Sequence, residues 1–567
     1  MFDSLQKQAQ EILRETFSRD INELTFTFPA TPEFGDISTA IAFELAKKEK
    51  TSPKTVAEKL ARAFGDVKGV RKAEVAGAGY VNVWLEPSVL LEALSEAQGA
   101  VKKRDAKKEA KQIIVEYCSP NIAKPLGVHH LLTMMIGQVL ANLYDHAGLN
   151  VVRWNYVGDW GTQYGKLVVA YQKWGKEADP KTMSLDEMLN LYVKFHNEAE
   201  KDTSLEAQAQ EAFKKLEQGD AELRSLWSAF VGVTVRTNTP IFRRLSVHFD
   251  THLGESDYET AMAPILEEGM KKGVFVPGDR GATIVRFPDE TKMPPALVLK
   301  ADGATNYLTR DLALARDRID RYNPTHIFHV VDVAQSLHFA QLFATAKLLK
   351  WKLPHWEHIS FGRMRFADRS MSTRKGNVLK LEEVLDEAVK RADALIAERG
   401  DSIQTDEPKD LAEMMGIGSI VYGVLSQNRV KDIVFDWDKM LSFEGNSAPY
   451  LQYTHARARS VLRKAKEEKI EMHNLKDVTI SDSDRPLLLT MLRFPSVLED
   501  ARESHMPHTL ANYLFELCQR FNTFYNTVPI LKSEGSERSL RLQLTSVVAD
   551  ILKCGAGLLT FRVPERM

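Results

Sequence analysis

The chain has 567 residues, enough for three or four domains of roughly 150 residues each. Hydrophobic residues make up 44% and charged residues 27%, the balance of a soluble globular protein, and no apolar run reaches the ~18–20 residues of a membrane span, so no membrane partner is expected. A formal net charge of −2 leaves any nucleic-acid binding to local basic patches, and three cysteines (Cys118, Cys518, Cys554) fit neither a zinc spacing nor a disulfide framework, which points to a reducing compartment, the cytoplasm.

Residues 1–100 read as a small α+β domain. An amphipathic helix over 3–17, with none of the layout of a signal or transit peptide, leads into the loop "FPATPEFGD". Helical patterns follow at 38–49 and 53–65, and "RKAEVAGAGYVNVWLE" closes the unit in strand-like alternation. The basic stretch "KKRDAKKEAK" at 102–111 is a solvated helix or linker, or else a contact to a phosphate backbone. Then "QIIVEYCSP" at 112–120, β-branched and stopped by proline, has the form of a buried parallel strand. The loop "NIAKPLGV", the helix "HHLLTMMIGQVLANLYDHAG" and the strand "NVVRWNYV" complete a βαβ unit, which predicts a parallel sheet with a right-handed crossover. This parallel-sheet domain runs over 112–380, with a polar helical insertion at about 175–245 and further strand-like runs "ATIVRF", "PALVLK" and "THIFHVVDV". Residues 381–445 are a linking helical region, and 446–567 form an all-α domain whose segment 457–469 concentrates basic residues.

Three clusters carry chemistry. Open α/β sheets bind ligands beyond the carboxyl ends of their strands, and a helix N-terminus suits phosphate. The loop at 119–130 sits at such a place. Gly127 permits close backbone approach there, and Lys124, His129 and His130 supply cationic or donor groups, although no Walker sequence is present. A helix cap with two surface histidines explains the loop equally well. The second cluster, "RFADRSMSTRKGNVLKLEEVL" at 365–385, combines Arg369, Arg374 and Lys375 with small hydroxyls and Gly376. It is able to close on a triphosphate, or to form a surface turn. In the third, "DGATNYLTRDLALARDRID" at 302–320, a helix puts Tyr307 and Asp311 on one face. A phenol beside a carboxylate suits a cationic group, and a surface pair is the alternative. Gln335 and His338 stand near a helix start in "VVDVAQSLHFAQLF", where caps and satisfied core groups are commoner than ligands.

Eight stretches in order, among them "PATPEFGDISTAIAFELAKK", "VEYCSPNIAKP", "NYVGDWGTQYGKL", "FDTHLGESDYET", "YLTRDLALA", "MSTRKGNVLKLEEVLDEA" and "NSAPYLQYTHARARSVLRKA", resemble the arginyl-tRNA synthetases, class I aminoacyl-tRNA synthetases, nearly end to end. The resemblance implies a Rossmann-type catalytic domain, a small N-terminal α+β domain that contacts tRNA, and an all-α anticodon-binding domain. It implies ATP with Mg2+ as co-substrate, L-arginine and tRNA(Arg) as substrates, no tightly bound metal, and a monomer. By the resemblance Glu255, Tyr307 and Asp311 face the guanidinium, while Glu116, Ser119, Asn121 and Gln335 hold the amino-acid end. Lys124, Gly127, His129, His130, His338, Met371, Ser372, Arg374 and Lys375 serve ATP, and Tyr450, Gln452, Tyr453 and His455 are candidates toward the anticodon, in a stretch "YLQYTH" that is more often a packed helix than a base-reading surface.

Two departures stand out. The family's His-x-Gly-His signature reads Gly127-Val128-His129-His130 here, so His129 stands where the family has glycine. The mobile loop reads Ser370-Met371-Ser372-Thr373-Arg374, without the family's first lysine and with Arg369 beside it. These changes motivate an alternative, a catalytically weakened paralogue that binds tRNA.

Overall fold

A computed structural model describes residues 3–17, 24–29, 32–105, 112–301, 303–366, 379–400, 403–475 and 478–567. The N-terminal part contains α1 (Asp3–Phe17), β1 (Ile37–Thr39), α2 (Ile41–Glu49), α3 (Pro53–Gly65), β2 (Val70–Ala76), β3 (Tyr80–Leu85) and α4 (Pro87–Gly99), with an antiparallel sheet ordered β1-β3-β2. Residues 38–39, expected in a helix, extend instead. Ile37, Ser38 and Thr39 pair with Val83, Asn82 and Val81, and Ser38 Oγ donates to Asn82 Oδ1 at 2.9 Å, a pairing too distant in sequence for local periodicity to report.

The central part begins with β4 (Gln112–Glu116), α5 (His129–His146), β5 (Asn150–Trp154), α6 (Thr162–Trp174) and the helices α7 (Leu185–Ala199), α8 (Ser204–Glu217) and α9 (Ala221–Arg244). It continues through α10 (Met262–Lys271), β6 (Phe275–Pro277), β7 (Thr283–Val285), β8 (Ala296–Leu299), α11 (Tyr307–Tyr322), β9 (His326–Asp332), α12 (Ser336–Leu348) and β10 (His355–Phe361). The strands β10-β9-β4-β5 form one parallel sheet. Both faces are covered, so β4 is apolar through its middle rather than alternating, and β9 is too except for His329, which Glu116 partners. Helix α5 is apolar on nearly every side because the sheet lies on one flank and the C-terminal helices on the other. Its Gly137 is required by that packing, since a Cβ there would sit 2.3 Å from the Tyr117 ring. The runs "ATIVRF" and "PALVLK" do not join the parallel sheet. They form β7 and β8, antiparallel to each other and to β6 in a separate three-stranded sheet.

The remainder holds β11 (Met364–Phe366), α13 (Leu381–Arg399), α14 (Pro408–Leu425), β12 (Ile433–Phe435), α15 (Trp437–Met440), α16 (Ala448–Glu467), α17 (Arg485–Leu492), α18 (Phe494–Glu503), α19 (Pro507–Thr527) and α20 (Gly535–Leu558). Helices α16, α17, α19 and α20 bury a common core against α5 and α14. Among the described residues no helix is long and apolar enough to cross a membrane.

Candidate active site

The loop leaving β4 passes through three non-glycine residues with positive φ: Cys118 (76°), Ser119 (48°) and Ala123 (63°). Such conformations cost on the order of 1–3 kcal/mol each and persist where the surroundings impose them. Here the Cys118 N–H donates to Thr133 Oγ1 at 3.1 Å, Ser119 N–H to Asn155 Oδ1 at 3.2 Å and Ala123 N–H to Thr234 Oγ1 at 3.0 Å. Thr133 donates in turn to Val330 O on β9 at 2.6 Å. The loop is therefore tied to the strands on both sides of β4.

Beyond the carboxyl ends of β4 and β9 lies a cavity of about 510 Å3. Glu116 and Ser119, Tyr156, Glu255, Tyr307 and Asp311 of α11, and Gln335 and His338 at the start of α12 line it, with Phe339, Leu342 and Trp356 as apolar wall. The cavity thus gathers six of the seven residues expected around arginine. Asn121 stays outside the lining, exposed in the loop and bridged to Gly158.

Two of the expected residues already have partners within this cavity. Glu116 is 4% exposed, and both its oxygens are occupied: Oε1 faces His329 Nδ1 at 3.0 Å and Oε2 faces Arg318 Nη2 at 2.5 Å. Burial would raise its pKa, but Arg318 and His329 overcome that and hold it at about 2. Glu116 thus stands ionised at the floor of the cavity, in its lining, with Arg318 and His329 against it. His338, expected on the ATP side, instead bonds Asp311 Oδ2 through Nε2 at 2.6 Å. Burial opposes its protonation, and that bond nonetheless raises its pKa.

The remaining acid, Glu255, starts the turn Glu255–Tyr258, and its N–H donates to Val157 O at 3.0 Å. Its Oε2 accepts from Arg310 Nη1 at 3.2 Å. Burial, with Asp311 and Asp159 nearby, pushes its pKa to about 7 against the pull of Arg310. Tyr307 is 67% exposed at the mouth. The hydroxyls of Ser119 and Tyr156 are buried with no hydrogen-bond partner among the described residues. Buried hydroxyls of this kind need a partner, and a polar ligand supplies one.

Three cavity groups, and Arg310 against Glu255 from outside the lining, were not singled out from the sequence. Arg318 was legible, because it continues the face of Tyr307 and Asp311 at i+7 from Asp311. Tyr156 sits inside the quoted "NYVGDWG". Arg310 and His329 carried no signal, since each acts through an acid distant in sequence.

At the start of α5 the two histidines separate. His130 Nδ1 accepts from Gly127 N–H at 3.1 Å, and burial, then the neighbouring His129, lower its pKa to about 3, so it offers a neutral imidazole and not a cation. His129 is exposed, its ring 4.0 Å from that of His130 between centroids. Gly127 pairs antiparallel with Lys380, Val128 N–H donates to Leu379 O at 3.0 Å and Leu381 N–H to Leu126 O at 2.8 Å, which stitches this loop to the chain entering α13. Lys124 is exposed, its Nζ 5.4 Å from the Tyr192 ring centroid. Arg369, Ser370, Met371, Ser372, Arg374 and Lys375 lie outside the described residues.

In α16 the expected anticodon-side residues divide. Gln452 and His455 are fully buried. Gln452 Nε2 donates to Met414 O and Arg562 O, both at 2.9 Å, and His455 Nδ1 lies 2.8 Å from Pro564 O. Both hold the C-terminal segment and are inaccessible to a nucleic acid, which corrects their expected role. Tyr450 packs edge-on against Phe515, while Tyr453 is exposed with the Arg457 guanidinium over its ring.

A four-stranded parallel sheet with two histidines opening the helix after its first strand and a polar cavity at its carboxyl edge fits the catalytic domain of a class I aminoacyl-tRNA synthetase, and the family described as tRNA synthetases class I (R), catalytic domain, matches residues 92–437. The arginyl tRNA synthetase N terminal domain matches residues 3–85 and the DALR anticodon binding domain residues 451–567. The chain is 37% identical to an arginine–tRNA ligase of Fusobacterium nucleatum, over 100% of this chain and 98% of that one, and 38% identical to one of Alkaliphilus metalliredigens over 95% of each. Its fold matches arginyl-tRNA synthetase of Thermus thermophilus with a TM-score of 0.81 at 25% identity, covering 100% of this chain and 99% of that one. That of Plasmodium falciparum matches in fold with a TM-score of 0.82 at 21% identity, over 100% and 98% of the two chains. The chain belongs to the arginyl-tRNA synthetase family.

Proposed function

We infer that the chain ligates L-arginine to tRNA(Arg) at the expense of ATP. A carboxylate oxygen of arginine attacks the α-phosphorus of ATP, the new O–P bond forms arginyl-adenylate, and pyrophosphate leaves. A terminal ribose hydroxyl of the tRNA then attacks the carbonyl carbon and AMP departs. Such chemistry asks the protein for positioning and charge stabilisation more than for covalent participation.

The observation that carries this reading is the meeting of Glu255, Tyr307 and Asp311 with Ser119 and Gln335 in one cavity at the carboxyl edge of the sheet. A guanidinium has five N–H donors in a planar fork and needs carboxylates and a phenol set around it. Glu255, Asp311 and Tyr307 receive the guanidinium, and Ser119 and Gln335 the amino-acid end. The loop of Lys124, Gly127, His129 and His130 receives ATP and its accompanying Mg2+, and the positive charge of Arg369, Arg374 and Lys375 serves the pyrophosphate. Tyr453 with Arg457 offers an exposed aromatic and cationic surface to the tRNA. The enzyme works as a cytoplasmic monomer.

The test is ATP–pyrophosphate exchange with arginine, with and without tRNA. Arginine-dependent exchange is expected, and it is lost in Asp311→Ala while tRNA affinity stays nearly unchanged. No exchange under either condition, with tRNA still bound, identifies the weakened paralogue instead.

A further inference from the structure

We propose that Arg310 is a positioning residue that keeps Glu255 ionised and aimed at the cavity from behind. The proposal rests on the reading that Glu255 receives the substrate guanidinium.

Glu255 faces the cavity, whereas Arg310 is absent from its lining, so their contact is made from outside the cavity. The ion pair uses Oε2 of Glu255 and leaves Oε1 without an Arg310 contact. Both side chains are largely buried, at 13% and 15% exposure, and Arg310 Nε has no partner among the described residues. Among the described residues the ion pair of Arg310 is with Glu255, and Glu217 also feels its charge. The backbone of Glu255 is fixed independently: Gly254 N–H donates to Asp257 Oδ2 at 2.8 Å, and Ser256 N–H and Oγ donate to Asp159 at 2.9 and 2.7 Å. What the backbone leaves undetermined is the side chain's direction and charge.

The surroundings work against that charge. Asp311 stands on α11, Asp159 in the segment after β5, and the phenols Tyr156 and Tyr164 on the segment after β5 and on α6. Arg310 is the cation that faces Glu255 among them. Even so, burial brings Glu255 to about 7, so near neutral pH the carboxylate stands at the edge of protonation. A protonated Glu255 has lost one acceptor's charge for the guanidinium. Arginine therefore binds better as pH rises through the Glu255 titration, and removing Arg310 moves that titration upward.

The experiment is the pH profile of the arginine KM between pH 6 and 9, by ATP–pyrophosphate exchange with tRNA present. In Arg310→Met the midpoint is expected to rise by about one pH unit and the KM at pH 7 by roughly fivefold, because the ionised fraction of Glu255 there falls from about a half to about a tenth. The kcat at saturating arginine and the tRNA affinity stay within about twofold, and Arg310→Lys recovers most of the shift. In Glu255→Gln the KM is high and its midpoint disappears, and adding Arg310→Met changes nothing more. His338, bonded to Asp311, titrates within reach, and the same profile in His338→Gln separates its share. If Glu255→Gln leaves the arginine KM unchanged, the cavity reading itself falls. If Glu255→Gln raises the KM but Arg310→Met leaves the midpoint where it was, Arg310 has no such role.

Discussion

The carboxylate of Asp36 is fully buried where the N-terminal sheet meets the helical domain, 449 positions before its partner. Arg485, at the start of α17 and 6% exposed, donates Nε to Asp36 Oδ1 at 2.6 Å and Nη2 to Oδ2, which also accepts from Leu85 N–H at 2.6 Å. Asp36→Asn keeps the shape and removes the charge. One amide oxygen cannot serve both Leu85 and the guanidinium, and the amide NH2 faces a cation. Two charge-assisted bonds at about 1.5–3 kcal/mol each set the loss near 3–5 kcal/mol, the range for breaking a buried pair from one side. Arg485→Met in the Asp36→Leu background removes the stranded charge as well, so a double-mutant cycle is expected to show a coupling of about 2 kcal/mol or more. A chain of this size opens domain by domain, so the quantity to measure is the local opening free energy, from native-state hydrogen exchange of β1, β3 and α17 amides. The tRNA KM is expected to rise with that loss while the KM values for arginine and ATP hold. Additive single mutants, or a change under about 1 kcal/mol in Asp36→Asn, would refute the view that this pair fastens the two domains.

Three further outcomes follow from the geometry. His130→Ala is expected to raise the ATP KM by roughly tenfold, because the ring braces Gly127, whereas the exposed His129→Gly changes it by less than about threefold; steady-state exchange kinetics compare them. Gln452→Leu strands two carbonyls, Met414 O and Arg562 O, and is expected to cost about 1–3 kcal/mol and to raise exchange of the C-terminal amides without altering which anticodon is charged. Glu357 is held at about 2 chiefly by its bond to His505, with His355 beside it. A carboxylate lowered in the folded state stabilises fully above its ordinary value of 4.5 and loses that contribution as pH falls toward 2. Melting midpoints should therefore decline across that window in the parent and decline less in Glu357→Gln.

The sequence made the βαβ unit legible because period and composition agree there. "QIIVE" is apolar through its middle since helices cover both faces, and the helix after it is apolar all round since it separates sheet from helical domain. It failed at Ser38 and Thr39, where a sheet partner more than forty positions away overrides local helical preference, and at β7 and β8, whose apolar runs do not say which sheet they enter. The same limit applies in the site. Tyr307 and Asp311 were readable as neighbours because a helix fixes i and i+4, and Ser119 and Gln335 by resemblance. That Glu116 is already taken by His329, 213 positions on, was not readable, because an acid's partners are a property of the fold. The stretch "YLQYTH" reads more readily as a packed helix than as a base-reading surface, and Gln452 and His455 are packed there because the returning C-terminal segment covers them.

The acids of the cavity share one physical problem. A site for a cation must hold carboxylates out of bulk water before the cation arrives, and a buried carboxylate without a partner takes up a proton. Each of the three has a basic group of this chain against it, and the three pairings differ in kind. Glu116 has two partners, Arg318 stacked 4.2 Å over Trp154 and His329, both nearly inaccessible and each against one of its oxygens. Asp311 is paired with His338, a base whose charge is itself conditional, and both are about a quarter exposed. An arriving guanidinium, always charged, can replace an imidazolium that has the option of losing its proton. Glu255 stands between these cases, held from outside the cavity by a guanidinium that contacts one of its oxygens. On the proposed reading the substrate guanidinium is expected to exchange with His338 at Asp311 and to add to Arg310 at Glu255. Lysine, with a point charge in place of a fork, makes fewer directed bonds to two acids, so a much lower kcat/KM is expected for it in the exchange assay.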